Sequence, residues 1–285
     1  MKLAELLPEI CRVAFEAGDL IEEIYQLSER VEVESKSDGT PVTVADKQAD
    51  ALICEALTIL TPNIPLLTEE SVSAVPFEER QSWSTFWCVD PLDGTKEFIE
   101  RTGEFSVNIG LVENEQVVLG VVYVPMTRVL YCAAKDLGAY RWVVPSADAI
   151  ELQTWQACLN PLHKINSRLK TTRVPTRVAV SRRHGNMARR FFDALGEVEL
   201  VYMGSAIKSC LVAEGTVDLY PRFGPTSLWD TAAAQCVVEE SGGLFVKADG
   251  TPLTYVQTES LLNPHFLVVG DPYFNWPPFP NPKNS

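Results

Sequence analysis

The sequence predicts a mixed α and β fold (α+β), and three observations carry that prediction. Apolar residues recur at helical spacing through residues 3–25 and again after Thr43. Segments rich in β-branched residues then follow one another almost without pause, at 106–112, 117–124 and 129–134. Beyond residue 176 strand and helix patterns alternate, as they do in layered α/β structures.

The first helix places Leu3, Leu6, Ile10, Val13, Ala17, Leu20, Ile21 and Ile24 on one face, with acids opposite. Asp38-Gly39 and Pro41 make a turn, and Thr43 is a natural N-cap for a second helix with Asp46 in its first turn. Pro62 ends that helix. Residues 64–68 read as a short strand running into Glu69-Glu70-Ser71, and 72–85 as polar loop. A strand entered at Trp87 turns at Asp90-Pro91-Leu92-Asp93-Gly94-Thr95 and leaves as a short helix. The closely spaced β segments after it predict an antiparallel meander. Residues 141–176, mixed in pattern, read as a loop-rich crossover, which divides the chain into halves at 1–140 and 141–285. In the second half, strands are expected at 177–181, 198–203, 217–223, 244–247 and 266–269. Helices are expected at 186–195, 205–214 and 229–240.

Composition narrows the function. A net charge of −14 repels nucleic-acid polymers, so a polyanionic substrate must be met by local cations or bound metal. The seven cysteines are odd in number and form no C-x-x-C pair, which indicates neither a disulfide framework nor a zinc ribbon. With no apolar run long enough to span a bilayer, the expectation is a soluble, cytoplasmic protein.

The turn at 90–95 holds the chemistry. Pro91 fixes the backbone between Asp90 and Asp93, so both carboxylates and the Leu92 carbonyl can face one point. Hard oxygen donors at that spacing suit Mg²⁺. Gly94-Thr95 opens a helix whose N–H groups can hold a phosphate. An EF-hand is excluded, since counting from Asp90 puts acids at positions one and four and glycine at five. An Asp-Gly turn with an N-cap would explain these residues without chemistry. What weighs against that reading is the company of Asp46, Glu69 and Asp230, each near the end of an element.

Asp90–Thr95, Glu69-Glu70-Ser71 and Trp229-Asp230-Thr231-Ala232 resemble the signatures of the inositol monophosphatase superfamily. Three further stretches resemble its 3'(2'),5'-bisphosphate nucleotidase branch, of the CysQ type: Lys96-Glu97-Phe98 after the turn, 103–108, and 219–226. The resemblance implies a five-layer αβαβα sandwich and a Mg²⁺-dependent phosphatase with two or three ions. Its metal ligands would be Glu69, Asp90, the Leu92 carbonyl, Asp93 and Asp230. Asp46 and Thr95 would orient the attacking water, with Glu69 sharing the task. Lithium inhibition is a further expectation. The chemistry is coherent, because converging acids would repel a phosphate dianion unless metal ions lay between, and no nucleophilic Ser or Cys is required.

The implied substrate is 3'-phosphoadenosine 5'-phosphate, cleaved to AMP and phosphate. Asp93, Gly94, Thr95 and Asp230 would face its scissile phosphate. Ser181, His184, Ser205, Lys208 and Arg222 are candidates for the second phosphate, with Gly204-Ser205 at a strand-to-helix turn where backbone N–H groups can hold an anion. The other reading of Lys208 is a solvated helix charge. The branch pattern Ser-Ser-Leu-Lys is here Ser205-Ala206-Ile207-Lys208, which removes one hydroxyl from the proposed anion seat. Two other functions fit the acids: an inositol- or sugar-phosphate phosphatase, and a non-catalytic binder of divalent cations. Oligomeric state is left open.

Overall fold

The structure, a computed structural model, describes residues 2–27, 33–35, 41–145, 152–167, 175–181 and 186–279. Helix α1 (Leu3–Leu27) and helix α2 (Val44–Leu60) pack together on one face of a large sheet. Their buried faces are those the helical period marks, Leu6, Ile10, Val13, Ala17 and Ile21 from α1 and Ala49, Ile53 and Leu57 from α2. A β-hairpin of β1 (Val33–Ser35) and β2 (Pro41–Thr43) leads into α2.

The large sheet has seven strands in chain order: β3 (Leu66–Thr68), β4 (Thr85–Asp93), β5 (Ser106–Glu113), β6 (Gln116–Val124), β7 (Val129–Ala134), β8 (Gly138–Val143) and β9 (Lys164–Ile165). All pairings are antiparallel except β3 with β4. Both faces are buried, and the period of two sorts the side chains. Trp87, Val89, Ile109, Val121, Tyr123, Leu130 and Cys132 join the α1–α2 core. Phe86, Cys88, Val122, Val124, Tyr131 and Ala133 face the other way.

The second sheet runs in the order β11 (Val198–Tyr202), β10 (Thr176–Val180), β12 (Leu219–Arg222), β14 (Phe266–Val269) and β13 (Leu244–Lys247). Helices α6 (Ile207–Ala213) and α7 (Ala232–Glu240) lie between the two sheets in one apolar core. Phe191 and Phe192 of α5 (Asn186–Leu195) pack against the outer face of the second sheet. The layers are therefore αβαβα, as expected.

Three local expectations need correction. The stretch 72–85 is not plain loop but carries a 3-10 turn at Val72–Ala74 and a short helix, α3 (Phe77–Arg80). Arg80 is buried there because its guanidinium donates to Gln257 Oε1 at 3.0 Å and the Glu259 carbonyl at 2.9 Å. The division at 140/141 runs through β8, and the chain changes sheets between β9 and β10. Inward alternation of Tyr140, Trp142 and Val144, with Arg141 between, makes β8 a strand. Finally, the helix expected at 229–240 is a 3-10 turn, Leu228–Asp230, followed by α7.

Helix α7 crosses the large sheet at two glycines. A Cβ on Gly120 would lie 2.1 Å from the Ala233 carbonyl oxygen, and one on Gly110 would lie 3.0 Å from Ala232 Cβ and Ala233 N. Small residues on both sides let helix and sheet approach backbone to backbone. The approach brings the turn at the head of α7 over β4 and β5.

Candidate active site

Strand β4 is the centre of the site because it is broken there. Asp90 pairs with Asn108 and Asp93 with Ser106, so three steps on β4 oppose two on β5. The surplus residue makes a bulge, and Pro91, which has no N–H to donate, falls inside it. Asp90 Oδ1 accepts the Leu92 N–H at 3.0 Å, which folds the carboxylate back over the turn. Gly94 follows at φ +100°, a conformation that disfavours any side chain, with Glu104 O only 3.2 Å from where a Cβ would sit. Thr95 then opens α4 (Thr95–Ile99).

The other acids arrive from three directions. Asp46 comes from the capping box of α2, where its Oδ2 accepts from the Thr43 N–H at 2.8 Å and from Thr43 Oγ1 at 2.6 Å. Its second oxygen, Oδ1, accepts from Thr95 Oγ1 at 2.9 Å, joining the helix start to the turn. Glu69 follows β3, its N–H bonded to the Val89 carbonyl at 3.1 Å. Asp230 closes the 3-10 turn before α7, and its Oδ2 accepts the Ser227 N–H at 2.9 Å.

Electrostatics shows that these groups share one space. Burial, then the charges of Glu69, Asp93, Asp230 and Asp46, push Asp90 well above the usual carboxylate range. Asp93 rises to about 6 through burial, against the pull of Lys208 and two hydrogen bonds. Asp230 rises to about 8 through burial and the neighbouring Asp93. A set of buried acids held at such cost fits bound cations. Among the described residues, no three carboxylates bring donor oxygens within 4.8 Å of one another. That spread suits several hard ions, each taking one or two carboxylates plus water and substrate oxygens, rather than one all-protein cage.

The second sheet adds cations. Lys208 is not a solvated helix charge. It is 5% exposed, donates to Ser205 O at 2.6 Å and Met203 O at 3.3 Å, and lies 5.4 Å from the Tyr220 ring centre. Burial lowers it to about 8 while Asp93 draws it back up. Arg222 donates to Ser181 Oγ at 3.2 Å and Pro225 O at 2.8 Å, and its buried Nε has no hydrogen-bond partner among the described residues. Asp93, Gly94, Asp230, Ser205, Lys208 and Arg222 all line one cleft of about 500 Å³, which Ser181 also borders. His184 lies outside the described residues.

One expected feature is used differently. The Gly204 N–H donates to Glu104 Oε2 at 2.8 Å and the Ala206 N–H to Asp93 Oδ2 at 2.5 Å. Those two backbone donors therefore tie the second half to the first rather than waiting for an anion, and Ser205 between them is left-handed at φ +46°. Asn108, which the sequence offers only as the end of the stretch 103–108, joins the site. Its Nδ2 donates to Asp93 Oδ2 at 3.3 Å while its Oδ1 accepts from Ser106 Oγ at 3.0 Å. The available signal was two polar residues at alternate positions of an otherwise apolar strand, both facing the turn.

Fold and acid shell together define a phosphatase that works through metal, and the sequence model of the inositol monophosphatase family matches residues 2–269. The chain belongs to that family, whose enzymes are metal-dependent phosphatases. Within it, the chain is 41% identical over 264 residues to the 3'(2'),5'-bisphosphate nucleotidase CysQ of Escherichia coli, covering 92% of this chain and 99% of that one. It is 38% identical to CysQ of Haemophilus influenzae, with 95% of each covered. The crystal structure of CysQ from Bacteroides thetaiotaomicron, 38% identical, superposes with a TM-score of 0.75 over 90% of this chain and 94% of that one.

Proposed function

We propose that the protein is a Mg²⁺-dependent 3'(2'),5'-bisphosphate nucleotidase, hydrolysing 3'-phosphoadenosine 5'-phosphate to AMP and phosphate. The observation that carries this reading is one cleft lined both by carboxylates of the acid shell and by two partly or fully buried cations, Lys208 and Arg222. A monophosphate ester needs only the acids and their metal; a second anionic group would be met by Lys208 and Arg222, whose direct hydrogen bonds among the described residues go to neutral oxygens. The identity to two nucleotidases across most of the chain supports the same substrate.

In this reading Glu69, Asp90, the Leu92 carbonyl, Asp93 and Asp230 hold two or three Mg²⁺ ions. The metal would supply charge neutralisation and an acidified water. Thr95 gives its one hydroxyl proton to Asp46, so its oxygen is left to accept a hydrogen from the attacking water. Thr43 pins the other oxygen of Asp46 with two hydrogen bonds, which fixes that orientation before substrate arrives. Glu69 shares in holding the water. On the far side Arg222 Nε, Ser181, Ser205 and the third Lys208 proton receive the 5'-phosphate. The seven free cysteines fit a reducing cytoplasm, and among the described residues no helix is long and apolar enough to cross a membrane.

The test is a substrate panel with Mg²⁺, repeated with added Li⁺. The nucleotide should show higher kcat/KM than inositol 1-phosphate, and Li⁺ should inhibit. Replacing Lys208 or Arg222 by Met should raise KM for the bisphosphate about 10- to 100-fold, the worth of a charged hydrogen bond, and leave a 3'-monophosphate nearly unaffected. A preference for inositol 1-phosphate would overturn the assignment.

A further inference from the structure

Three thiols from three separate elements meet in the core on the α1 side of the large sheet. Cys11 comes from α1, Cys132 from β7, and Cys158 from the 3-10 helix Leu152–Leu159. All three side chains are fully buried, and their sulfurs lie within 4.8 Å of one another. Among the described residues this is the one group of three metal-ligating side chains whose donor atoms come so close. The phosphatase chemistry uses none of them.

Their geometry suits one ion in three-fold coordination. Sulfurs each about 2.3 Å from a common ion sit about 4 Å apart in a planar arrangement and about 3.5 Å apart around a pyramidal one, which the cluster reaches with small side-chain rotations. A structural zinc site asks for a fourth protein ligand, and none joins the cluster within that distance among the described residues. Soft thiolates select thiophilic ions over Mg²⁺ or Ca²⁺.

Charge narrows the choice further. The cluster lies in an apolar core with Phe15, Tyr140, Trp142 and Trp155. Three thiolates around a monovalent ion would leave two buried negative charges, and around a divalent ion one. Around a trivalent ion they leave none, and burial strongly penalises any residual charge. Burial pushes the Cys11 thiol well up, whereas hydrogen bonds from Cys11 and Cys132, with the nearby His163, pull Cys158 down to about 4, so the three sulfurs titrate as one linked group.

We propose that Cys11, Cys132 and Cys158 form a binding site for a trivalent thiophilic ion of the arsenite or antimonite class. Binding exchanges ligands without any redox change. Three metalloid–oxygen bonds of the trihydroxide break and three metalloid–sulfur bonds form. One proton per sulfur, drawn from solvent where that sulfur rests as thiolate, leaves with a hydroxide as water, so three waters are released and the product is neutral. Because the sulfurs are sealed from solvent, entry requires the 3-10 helix carrying Cys158 to lift from α1, and uptake should be slow. Once bound, the ion staples α1, β7 and that helix together.

The full-length, Mg²⁺-loaded protein, reduced with a phosphine, would be incubated with sodium arsenite, freed of excess by gel filtration, and assayed for arsenic. One arsenic per chain is expected, with three sulfur neighbours by X-ray absorption and a raised melting temperature. Cys132→Ala and Cys158→Ala should each weaken retention at least 100-fold, with phosphatase activity reporting that they fold. Cys54→Ala, which changes a thiol outside the cluster, should bind as the parent does. The coordination number in the unmodified protein stands even if a variant fails to fold. Retention within threefold of the parent in both cluster variants would overturn the site. So would fewer than three sulfur neighbours, or no arsenic taken up even a few degrees below the melting temperature. Uptake of Cu⁺ with three sulfur neighbours but no arsenic would overturn the charge argument and with it the class of ion.

Discussion

Asp93 is the residue on which the two halves of the site depend. Its Oδ2 accepts from the Ala206 N–H and from Asn108, its charge raises Asp230, and it holds Lys208 protonated. Asp93→Asn should lower kcat/KM at least about 10³-fold, since on the proposed function it neutralises a carboxylate that holds the metals. Its effect on the metal-free fold should be opposite in sign: one member of a self-repelling set is removed, so at pH 8 melting temperature in EDTA should hold or rise. Loss of activity with a lower melting temperature would mean Asp93 acts mainly as a structural clamp. Thr95 gives a finer test. Thr95→Ala should cost about 10²- to 10³-fold in kcat, in the range for a lost proton-handling group, while Thr95→Ser, which keeps the hydroxyl, should stay within tenfold. The acids and Thr95 were legible in the sequence because their spacing around Pro91 and Gly94 has few other uses. Asn108 was not, because a single amide in a strand becomes meaningful only when the register sets it opposite Asp90.

At the level of elements, the site depends on how closely α7 lies on the large sheet. Asp230 is placed by a 3-10 turn fixed to α7, and α7 is placed by contact with Gly110 and Gly120. Gly120→Ala should therefore do two things. Overpacking against the Ala233 carbonyl should destabilise the fold by about 1–3 kcal/mol. It should also raise the Mg²⁺ concentration giving half-maximal activity several-fold, by moving Asp230 away from β4. Denaturant melts and a Mg²⁺ titration check the two effects separately, and a destabilised variant with unchanged Mg²⁺ dependence would break the link between helix seat and metal site. Period-two and helical patterns announced most elements. Strand β8 escaped because Arg141 and an irregular continuation obscure its short alternation, and 72–85 escaped because α3 is a single turn held by Arg80 reaching residues near 257–259. Neither contact leaves a local trace. The glycine seats were equally silent, since each of Gly110 and Gly120 looks like an ordinary interruption until a helix from the other half lies on it.

For the whole molecule, the acid shell makes stability depend on pH and metal together. Asp93 at about 6, Asp230 at about 8 and a strongly raised Asp90 all bind protons more tightly folded than unfolded, where a carboxyl titrates near about 4. Where the native state binds more protons, unfolding free energy falls as pH rises. The metal-free protein should thus lose stability from about pH 4 upward through the folded-state values of Asp93 and Asp230, and go on losing it until the strongly raised Asp90 has ionised as well. Cations reverse the balance, because they favour the ionised carboxylates and release the retained protons. The melting-temperature gain on adding saturating Mg²⁺ to the EDTA-treated protein should be small at pH 5 and several times larger at pH 8. Thermal melts across that range, with and without Mg²⁺, measure it directly. A gain that shrinks with pH would mean the acids are not the groups the metal binds. In Asp93→Asn the metal-free curve should be flatter between pH 5 and 7 than in the parent, because one of the ionisations that drives the fall has been removed.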